Sequence, residues 1–365
     1  MKITYLSASI ISSNSANSVH VMKMCQAFVQ NGHEVVLVAS KGADATDHYD
    51  FYNVNKCFNI VLSGQYPKIF SPIFRLFQGI KFGKNSDIIY TRWNLGAVVL
   101  SLLLNKYIIF EHHNASSLFI QTILQKMFMK RQTIIRHVFI THSLKKYFLD
   151  KYPSLINKDV VVLPDGADAY EQAQFNNNNK VECVYLGSFL KGKGVEIVIE
   201  IAEKMPDFKF HILGGTEGQV EFFKKVTLAN NIIWYGHVPQ KKAMSILDTV
   251  DIALLPNQNS ILINNNKEDI GKWTSPMKLF EYMAKGKAVI ASNLDVLKEV
   301  LTHEKNCILV DSKNTNEWVD AINRLQNDRE LLKKISKEAK ADLENNYSWK
   351  TRAERVLVNL SYENN

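Results

Sequence analysis

Short apolar runs, polar loops and amphipathic segments follow one another in a repeated order along this chain. The run "KITYLSA" predicts a buried strand, and the polar loop "SSNSANS" follows it. The next segment, "VHVMKMCQAFVQNG", has apolar residues at helical spacing and stops at Gly32, a residue type that often follows the last turn of a helix. "HEVVLVAS" then predicts a second strand. This strand–helix–strand order predicts a parallel sheet that is covered on both faces.

The alternation continues to the end of the chain with one interruption. Further strands are predicted at "DIIYTRW", "YIIFEHHN", "HVFITHS" and "VVVLPDG". Residues 169–180, "AYEQAQFNNNNK", are polar and rich in asparagine, which is typical of a linker. After them come the apolar runs "VECVYLGS", "FKFHILGG", "NIIWYGHV", "DIALLP", "KAVIAS" and "CILV". The pattern predicts two doubly wound α/β domains in series.

The chain length supports the same division, because 365 residues are too many for one ordinary core. We predict a Rossmann-like first domain over 1–168, a linker over 169–180, a second Rossmann-like domain over 181–346 and a C-terminal helix over 347–365. That last helix either packs back on the first domain or is a simple terminal helix. Ligands of such sheets bind beyond the carboxyl ends of the strands, so we expect the site in the cleft between the domains.

Charge and composition narrow the classes of partner. The net charge of +8 favours an anionic partner such as a nucleotide, a phospholipid surface or nucleic acid, and a basic surface without a partner is an equally good interpretation. No motif for reading nucleic acid is present, which disfavours that partner. The four cysteines form no CxxC pair, which disfavours a zinc site or a disulfide framework. The most apolar stretch, "GAVVLSLLLNKYIIF", is too interrupted to span a bilayer, so we expect a soluble or peripheral protein.

The segment "TSPMKLFEYMAKG" predicts a short helix with a defined start and end. Ser275 or Thr274 suits the N-cap, Pro276 suits the first helical position, and Gly286 suits the position after the last turn. The first unpaired backbone amides of such a helix belong to residues near Met277, Lys278 and Leu279. Amides in this position bind phosphate well.

Two charged side chains follow this helix start at helical spacing. Lys278 adds a full positive charge beside the amides, and Glu281 lies one turn further on the same side of the helix. A carboxylate there suits a ribose, whose two hydroxyl groups can both donate to it. The segment therefore favours the phosphates and ribose of a nucleotide, and the alternative is an ordinary Glu/Lys pair on a solvent-exposed face.

A second segment, "YLGSFLKGKGVEIVIEIA", reads as strand, glycine- and lysine-rich loop, and helix. Lys191 and Lys193 supply charge, while Gly187, Gly192 and Gly194 permit close approach of the backbone to a ligand. The loop lacks the GK[ST] ending of a Walker A loop, and neither domain has GxGxxG after its first strand. A nicotinamide dinucleotide is therefore disfavoured.

These segments together resemble a known family. "LGSFLKGKGVEIVIEIAEKMPDFKFHILGG", "DIALLP" and "SPMKLFEYMAKGKAVIAS" resemble the C-terminal half of the retaining glycosyltransferases of family 4. "SVHVMKMCQAFVQNGHEVVLVAS" and "VLPDGAD" are similar to parts of the first half, so the resemblance covers nearly the whole chain. The block SPxKLFEYMAxGK is its most specific part and indicates a subgroup. The resemblance implies the GT-B fold, in which two Rossmann-like α/β domains face a cleft.

The resemblance implies a donor site for a nucleoside diphosphate sugar of the UDP or GDP type in the second domain. Lys193 matches the lysine that contacts the diphosphate, and Glu281 matches the glutamate that binds the ribose. Trp273 stands where many members have a first glutamate, and Ser188 stands where arginine is usual, so Lys193 with Lys191 or Lys278 would neutralise the diphosphate. The expected donor-binding residues are Lys193, Lys278, Glu281, Ser275, Met277, Leu279, Ser188 and Lys191.

The resemblance also implies an acceptor side in the first domain. His113 in "YIIFEHHNASS" aligns with a family histidine near the donor sugar and the acceptor, and we expect it to be the catalytic residue. The remaining candidates for contact with the acceptor or the sugar are Asn14, Ser15, Ala16, His112 and Trp273. The alternatives are two surface histidines at a strand end, and a polar loop that caps the next helix.

Two segments of the first domain combine bulky apolar residues with lysine and arginine: "YPKIFSPIFRLFQGIKFGK" and "LFIQTILQKMFMKRQTIIRH". In the second, Lys126, Lys130, Arg131 and Arg136 alternate with apolar residues, as in helices that lie on an anionic membrane. The alternative is a helix that packs on its own sheet and has a basic outer face. We expect no cofactor and no metal, because lysines and helix amides replace the divalent ion in this family.

The leading hypothesis is a retaining, metal-independent glycosyltransferase of the hexosyltransferase type. It would move a sugar to a glycan or lipid-linked acceptor in surface polysaccharide or glycolipid synthesis, in the cytoplasm or at the inner face of the membrane. The alternatives are a nucleotide-sugar-binding subunit without catalysis and a nucleotide-sugar epimerase on the same fold. The nucleotide base, the donor sugar, the acceptor and the oligomeric state do not follow from the sequence.

Overall fold

A computed structural model describes residues 1–42, 47–63, 70–115, 119–170, 180–263 and 268–360 of the chain. The chain forms two compact units, each with its own parallel sheet. The first unit comprises Met1–Asp165 and Trp349–Asn365, and the second comprises Gly166–Ser348. Of the predicted linker over 169–180, residues 171–179 lie outside the described residues.

The first unit is built on a parallel seven-stranded sheet with the order β3-β2-β1-β4-β5-β6-β7. Its strands are β1 (Lys2–Ile11), β2 (Glu34–Lys41), β3 (Asn59–Leu62), β4 (Ile88–Thr91), β5 (Tyr107–His112), β6 (Ile134–Phe139) and β7 (Asp159–Val162). The helices between them are α1 (Ala16–Gln30), α2 (His48–Phe51), α3 (Ser71–Gly83), α4 (Asn94–Leu103), α5 (Phe119–Met129) and α6 (His142–Lys151). A short 3₁₀ helix, Pro153–Asn157, precedes β7. The strand order reverses between β1 and β4, which places the topological switch point of this unit there.

The second unit has a six-stranded parallel sheet with the order β10-β9-β8-β11-β14-β15 and a separate antiparallel pair, β12-β13. Its strands are β8 (Glu182–Leu186), β9 (Lys209–Leu213), β10 (Ile232–Gly236), β11 (Ile252–Leu255), β12 (Leu262–Ile263), β13 (Glu268–Asp269), β14 (Ala288–Ser292) and β15 (Ile308–Val310). Its helices are α7 (Val195–Lys204), α8 (Glu217–Val226), α9 (Gln240–Asp248), α10 (Met277–Ala284), α11 (Asp295–Lys298), α12 (Thr315–Asn327) and α13 (Arg329–Asp342). A π-helical turn, Leu343–Tyr347, follows α13. The switch point of this sheet lies between β8 and β11.

The chain returns to the first unit in its last helix, α14 (Trp349–Leu357), which packs against α1. Arg352 of this helix is 2% exposed and donates hydrogen bonds to the carbonyl oxygens of Leu163 and Pro164. Asn31, at the end of α1, donates to the carbonyl oxygen of Lys350. The C-terminal helix is thus held by buried polar contacts as well as by its apolar side.

The predicted fold class of two doubly wound α/β domains, each with a parallel sheet, is confirmed. Every strand that the apolar runs predict is present. The prediction missed β3, a half-buried strand at the sheet edge, and the pair β12-β13, because both are short: β3 has four residues, and β12 and β13 have two each. Among the described residues, no helix combines the length and the apolar character that a membrane span requires.

One part of the basic amphipathic prediction is wrong. Arg136 does not belong to α5 but to β6, where it is 3% exposed and pairs with Asp159. It also donates to the carbonyl oxygens of Val356 and Val358 at the end of α14. Of the segment "YPKIFSPIFRLFQGIKFGK", residues 66–69 lie outside the described residues.

A glycine pair holds the loop after β8 close to the loop after β9. Gly214 has a φ of +121°, and a Cβ at this position would overlap the carbonyl oxygen of Gly187. Its amide donates to the carbonyl oxygen of Gly236. Only glycine fits this position, since an added methyl group would push the loop after β8 out of place.

We therefore expect Gly214→Ala to lower the urea midpoint of unfolding, at a cost of about 2–3 kcal/mol. The control is Gly218→Ala in α8, where a Cβ would meet open space. That change should leave the free energy of unfolding unchanged or raise it by about 0.5–1 kcal/mol, because alanine has a higher helix propensity than glycine. Equal midpoints for the two variants would contradict this account of the loop.

Candidate functional site

The loops after β8 and β11 meet at the switch point of the second sheet. A Cβ at Gly192 would clash with the carbonyl oxygen of Ser260, and one at Gly194 would clash with that of Pro256. The amide of Lys193 donates to the carbonyl oxygen of Leu190 and closes a turn within the loop. The glycines therefore bring the backbone of the lysine-rich loop against the next loop, at the place where such sheets bind their ligands.

Two lysines converge beside this loop. Lys278 of α10 is 7% exposed, and its Nζ lies 4.2 Å from the centroid of the Tyr185 ring. A Cβ at Gly187 would lie 3.4 Å from the same Nζ, so the missing side chain leaves room for the amino group. Lys193 lies close enough that its charge acts on Lys278. The predicted loop lysine and the predicted helix lysine are thus in one place.

The two amino groups have no acidic partner among the described residues. Nζ of Lys278 makes no hydrogen bond there. Burial, and then the charge of Lys193, hold the pKa of Lys278 well below its usual range. Burial alone lowers the pKa of Lys193 to about 8. One buried and one half-buried amino group without a counter-charge are costly, and an anion is the group that relieves the cost.

The start of α10 differs from the prediction. Pro276 occupies the N-cap position instead of the first helical position, and no side chain caps the helix. Ser275 and Thr274, the expected N-cap candidates, therefore lie one and two positions before the N-cap. The amide of Leu279 donates to the carbonyl oxygen of Pro276, and its side chain is 1% exposed. Leu279 therefore belongs to the core and offers no amide to a phosphate, which corrects that assignment. Ser275 and Met277 are half-buried where the helix begins.

The rest of α10 attaches the helix to the sheet and presents Glu281. The hydroxyl of Tyr282 accepts a hydrogen bond of 2.8 Å from the amide of Leu186, at the end of β8. Glu281, half-buried, accepts a bond of 3.2 Å from the side-chain amide of Gln240, the first residue of α9. Gly286 has a φ of 58° after the last turn, as predicted. Glu281 is thus held at a neighbouring loop end, one turn from Lys278.

The other predicted donor residues lie on the surface of the same unit. Ser188 and Lys191 are exposed on the loop after β8, where the carbonyl oxygen of Ser188 accepts from the Tyr185 hydroxyl at 3.0 Å. Trp273 is half-buried in the turn before α10. Of the segment between β11 and α10, residues 264–267 lie outside the described residues. A cavity of about 460 Å³ lies at the ends of β14 and β15, and none of the predicted residues lines it.

A buried charged network occupies the carboxyl edge of the first sheet. Glu111, fully buried in β5, accepts a bond of 3.1 Å from the guanidinium of Arg352. Nε2 of His20 in α1 lies 2.9 Å from Glu111, and its Nδ1 lies 2.8 Å from Asp165. Burial raises the pKa of Glu111, but Arg352, with His20 and His113, lowers it well below its usual range. Glu111 is therefore a buried carboxylate that carries its charge.

His113 contacts this network at the strand end. Its Nε2 contacts Oε1 of Glu111, and its ring meets the His20 ring edge-to-face at 5.0 Å between centroids. Burial, and next the charge of Arg92, lower the pKa of His113 to about 4, against the opposing effect of Glu111. At neutral pH the imidazole is uncharged, so it is suited to hydrogen bonding rather than to carrying a positive charge.

His112 does not belong to the site. It is 2% exposed, its ring stacks on Phe139 at 4.2 Å between centroids, and its Nε2 lies 3.0 Å from Nδ1 of His137. Successive residues of a strand point to opposite faces, so His112 enters the core when His113 leaves the strand. Its assignment to the acceptor or sugar loop was wrong.

The loop after β1 lies at the same edge of the first sheet. Asn14, Ser15 and Ala16 are exposed. Ser15 is the N-cap of α1, and its side chain accepts from the amide of Ser18. The capping role that was the alternative interpretation is therefore present, and it leaves Asn14 and Ala16 open to solvent.

The described residues contain one group that could hold a metal ion. The ligand atoms of His20, Glu111 and His113 lie within 4.8 Å of one another. Arg352 already places a positive charge beside Glu111, which weakens the case for a cation there. Asp165 takes part in the same network through His20. Sequence reasoning missed His20, Glu111, Arg352 and Tyr185.

Both units match known protein families. Residues 167–342 match the family model described as Glycosyl transferases group 1, and residues 18–170 match Glycosyltransferase Family 4. Together the two matches span residues 18–342, so each unit of the chain is similar to a glycosyltransferase domain. The subgroup predicted from SPxKLFEYMAxGK stays a prediction.

Two curated relatives and one solved structure illustrate the similarity. The uncharacterized glycosyltransferase MJ1069 of Methanocaldococcus jannaschii is 26% identical over 66% of this chain and 61% of its own length. The putative teichuronic acid biosynthesis glycosyltransferase TuaH of Bacillus subtilis is 29% identical over 30% of this chain and 26% of its own. The matches thus cover less than two thirds of either relative. Anabaena Alr3699/HepE, solved with UDP and glucose, has a TM-score of 0.72 at 14% identity over 100% of both chains, which is a likeness of fold.

The two lysines give a prediction about nucleotide binding. Lys193→Met and Lys278→Met should each weaken UDP binding at least about tenfold, because a charge-assisted contact to the diphosphate is lost. Calorimetry measures this, with Lys224→Met on α8, an exposed lysine, as the control. Since both pKa values are lowered, an anion should draw protons onto the amino groups, so binding at pH 8 should take up protons from the buffer. Unchanged affinity in both variants would remove the donor-site assignment.

The buried network gives a prediction about stability. Glu111→Gln leaves Arg352 buried without its counter-charge and should lower the free energy of unfolding by about 3 kcal/mol. Combining it with Arg352→Gln should recover part of that loss, which a double-mutant cycle in urea measures. Because the folded-state pKa of Glu111 is lowered, its contribution is present above its unfolded pKa and is lost as the pH falls through the folded value. Strictly additive effects would contradict the pairing.

Proposed function

We propose that this protein is a retaining glycosyltransferase that moves a sugar from a nucleoside diphosphate sugar to a glycan or lipid-linked acceptor. The single observation that carries the proposal is the pair Lys193 and Lys278, two amino groups without an acidic partner among the described residues, beside a glycine-rich loop at a switch point. A diphosphate supplies the negative charge that this place lacks. The similarity of each unit to a glycosyltransferase domain supports the same reaction class.

The second unit would bind the donor and stabilise its leaving group. Lys193 and Lys278 neutralise the diphosphate in the role that a divalent ion has in other enzymes, so the proposed reaction is metal-independent. Glu281 accepts hydrogen bonds from the ribose hydroxyl groups. During transfer the bond between the anomeric carbon and the diphosphate oxygen breaks, and the acceptor oxygen bonds to the same face of that carbon. The acceptor proton passes to the departing diphosphate, so the reaction needs no separate base.

The first unit would hold the sugar and the acceptor with neutral hydrogen-bonding groups. His113 is uncharged at neutral pH and accepts or donates a hydrogen bond to a sugar hydroxyl, according to its tautomer. Glu111 fixes the orientation of the ring through Nε2, and Arg352 keeps Glu111 ionised. Asn14 and Ser15 present polar groups to a hydroxyl-rich acceptor at the same sheet edge.

Names of similar proteins support a substrate class for this proposal. A UDP-sugar of the hexosyl type is favoured by the HepE structures, which were solved with UDP, with UDP-glucose, and with UDP and glucose. Surface polysaccharide or glycolipid synthesis is favoured by TuaH, which is named for teichuronic acid biosynthesis. A lipid-linked acceptor would place the enzyme in peripheral contact with the inner face of an anionic membrane.

A nucleotide-sugar-binding subunit without catalysis is the second candidate. Trp273 and Ser188 favour it, because they replace a glutamate and an arginine expected from the family resemblance. Slow hydrolysis of the donor separates the two functions, since a pure binder releases no sugar. A thermal-shift panel of nucleoside diphosphate sugars identifies the donor to use.

We expect His113→Ala to lower transfer or donor hydrolysis at least about hundredfold while leaving UDP affinity within about twofold, because the histidine belongs to the other unit. The matched control is His142→Ala, an exposed histidine on α6 of the same unit. Rates come from release of UDP, and affinities come from calorimetry. Undiminished turnover in His113→Ala would show that His113 has been misassigned.

A further inference from the structure

The outer side of the first unit carries exposed apolar side chains on three neighbouring helices. α3 packs against α4, and α4 packs against α5, so the three helices form one continuous surface. Phe119 and Ile120 are 78% and 70% exposed, and Ile73 and Phe77 are each 63% exposed. We call the surface formed by these four residues the apolar face: Ile73, Phe77, Phe119 and Ile120. Leu102 and Leu103, at the end of α4, are exposed at the opposite edge of the sheet.

On α3 and α5, exposed apolar side chains are followed by an exposed lysine on the same side of the helix. Ile73, Phe77 and Lys81 follow one another at intervals of four residues on α3, and all three are exposed. On α5, Ile123 and Lys126 are three residues apart, which places them on the same side of the helix, and both are exposed. Lys130 directly follows the last residue of the helix and is also exposed. Each of these segments thus has apolar side chains first and a positive charge at its end.

The topology places this pattern relative to the candidate acceptor side. Each helix between parallel strands runs from the carboxyl edge of the sheet back to the amino edge. Phe119 and Ile120, at the start of α5, therefore lie at the carboxyl edge, where β5 also delivers His113. A surface that contacts the apolar face would lie beside the edge that holds the proposed acceptor.

The charges around the apolar face have one sign. Residues 70–131, from α3 to the turn after α5, contain eight lysines or arginines, of which Arg75 is buried, and two acidic residues, Asp87 and Glu111. Glu111 is fully buried, and Asp87 accepts a hydrogen bond from the amide of Lys2 at the end of the sheet. The face is therefore matched to an anionic surface. A second copy of this chain, docked face to face, would bring the lysines of both copies together, which is unfavourable.

We propose that the apolar face docks on an anionic lipid bilayer. The apolar side chains enter the interface, and Lys81, Lys126 and Lys130 lie at the level of the lipid phosphates. This inference rests on the peripheral membrane contact in the proposed function and assigns that contact to one surface. The docked first unit would receive a lipid-linked acceptor directly from the bilayer, at the edge next to His113.

The test is co-sedimentation of the full chain with vesicles, in the absence of donor and acceptor. Vesicles of phosphatidylcholine containing about one third phosphatidylglycerol should bind the protein at least about tenfold better than vesicles of phosphatidylcholine alone. Salt should weaken the binding. Phe119→Ser with Ile120→Ser, and separately Lys126→Gln with Lys130→Gln, should each lower the partition coefficient about tenfold or more.

Helix α8 of the second unit supplies matched controls, because Phe222, Lys224 and Lys225 on it, and Leu228 just after it, are also exposed. Phe222→Ser with Leu228→Ser, and Lys224→Gln with Lys225→Gln, should leave vesicle binding within about twofold of the original protein. Unfolding midpoints confirm that every variant is folded.

Three results would overturn the proposal. The first is no binding to anionic vesicles, and the second is an equal loss of binding in the α8 controls. The third is a dimer in light scattering that Phe119→Ser with Ile120→Ser converts to a monomer, because the face would then join two copies. Vesicle binding is measured without donor, so a protein that does not bind UDP can still bind vesicles. Failure of the proposed function and failure of this inference are therefore distinguishable.

Discussion

The second unit depends on one electrostatic constraint: two amino groups lie close together where water is scarce and no acidic side chain pairs with them among the described residues. Lys278 sits over the Tyr185 ring beside Gly187, and Lys193 adds a second charge from the adjoining loop. Tyr282 fixes the distance between the helix and the strand, since its hydroxyl accepts from the end of β8. The fold thus holds two like charges near each other, which is electrostatically unfavourable. A bound diphosphate would neutralise both charges, so its binding is favourable.

The first unit contains a buried pair of opposite charges, Glu111 and Arg352. Glu111 is buried near the carboxyl end of the apolar strand β5, and Arg352 contacts it from the C-terminal helix, which follows the second unit in the chain. Because of this connection, the orientation of His113 depends on a residue more than 230 positions further along the chain. The return of α14 is therefore part of the candidate site as well as of the core.

Sequence patterns predicted most of the fold because long apolar runs specify buried parallel strands whatever their neighbours. The lysine-rich loop and Lys278 were also predictable, since glycine, lysine and a helix start occur in a known order. The Glu111–Arg352 pair was not, because nothing local links positions so far apart, although an acidic residue within "YIIFEHH" was a signal that went unused. Leu279, His112 and Arg136 were misassigned for one reason: the side of the element that each occupies is decided by tertiary packing.

The central claim concerns the charge state of two side chains, so the most direct measurement is lysine NMR. With ¹³C-labelled lysine, the ε-carbon shifts of Lys193 and Lys278, assigned by substitution, report the pKa of each amino group. Without ligand both pKa values should lie below the usual lysine range, and saturating UDP should raise both toward or above it. Ordinary pKa values in the protein alone, or values that UDP leaves unchanged, would contradict the account.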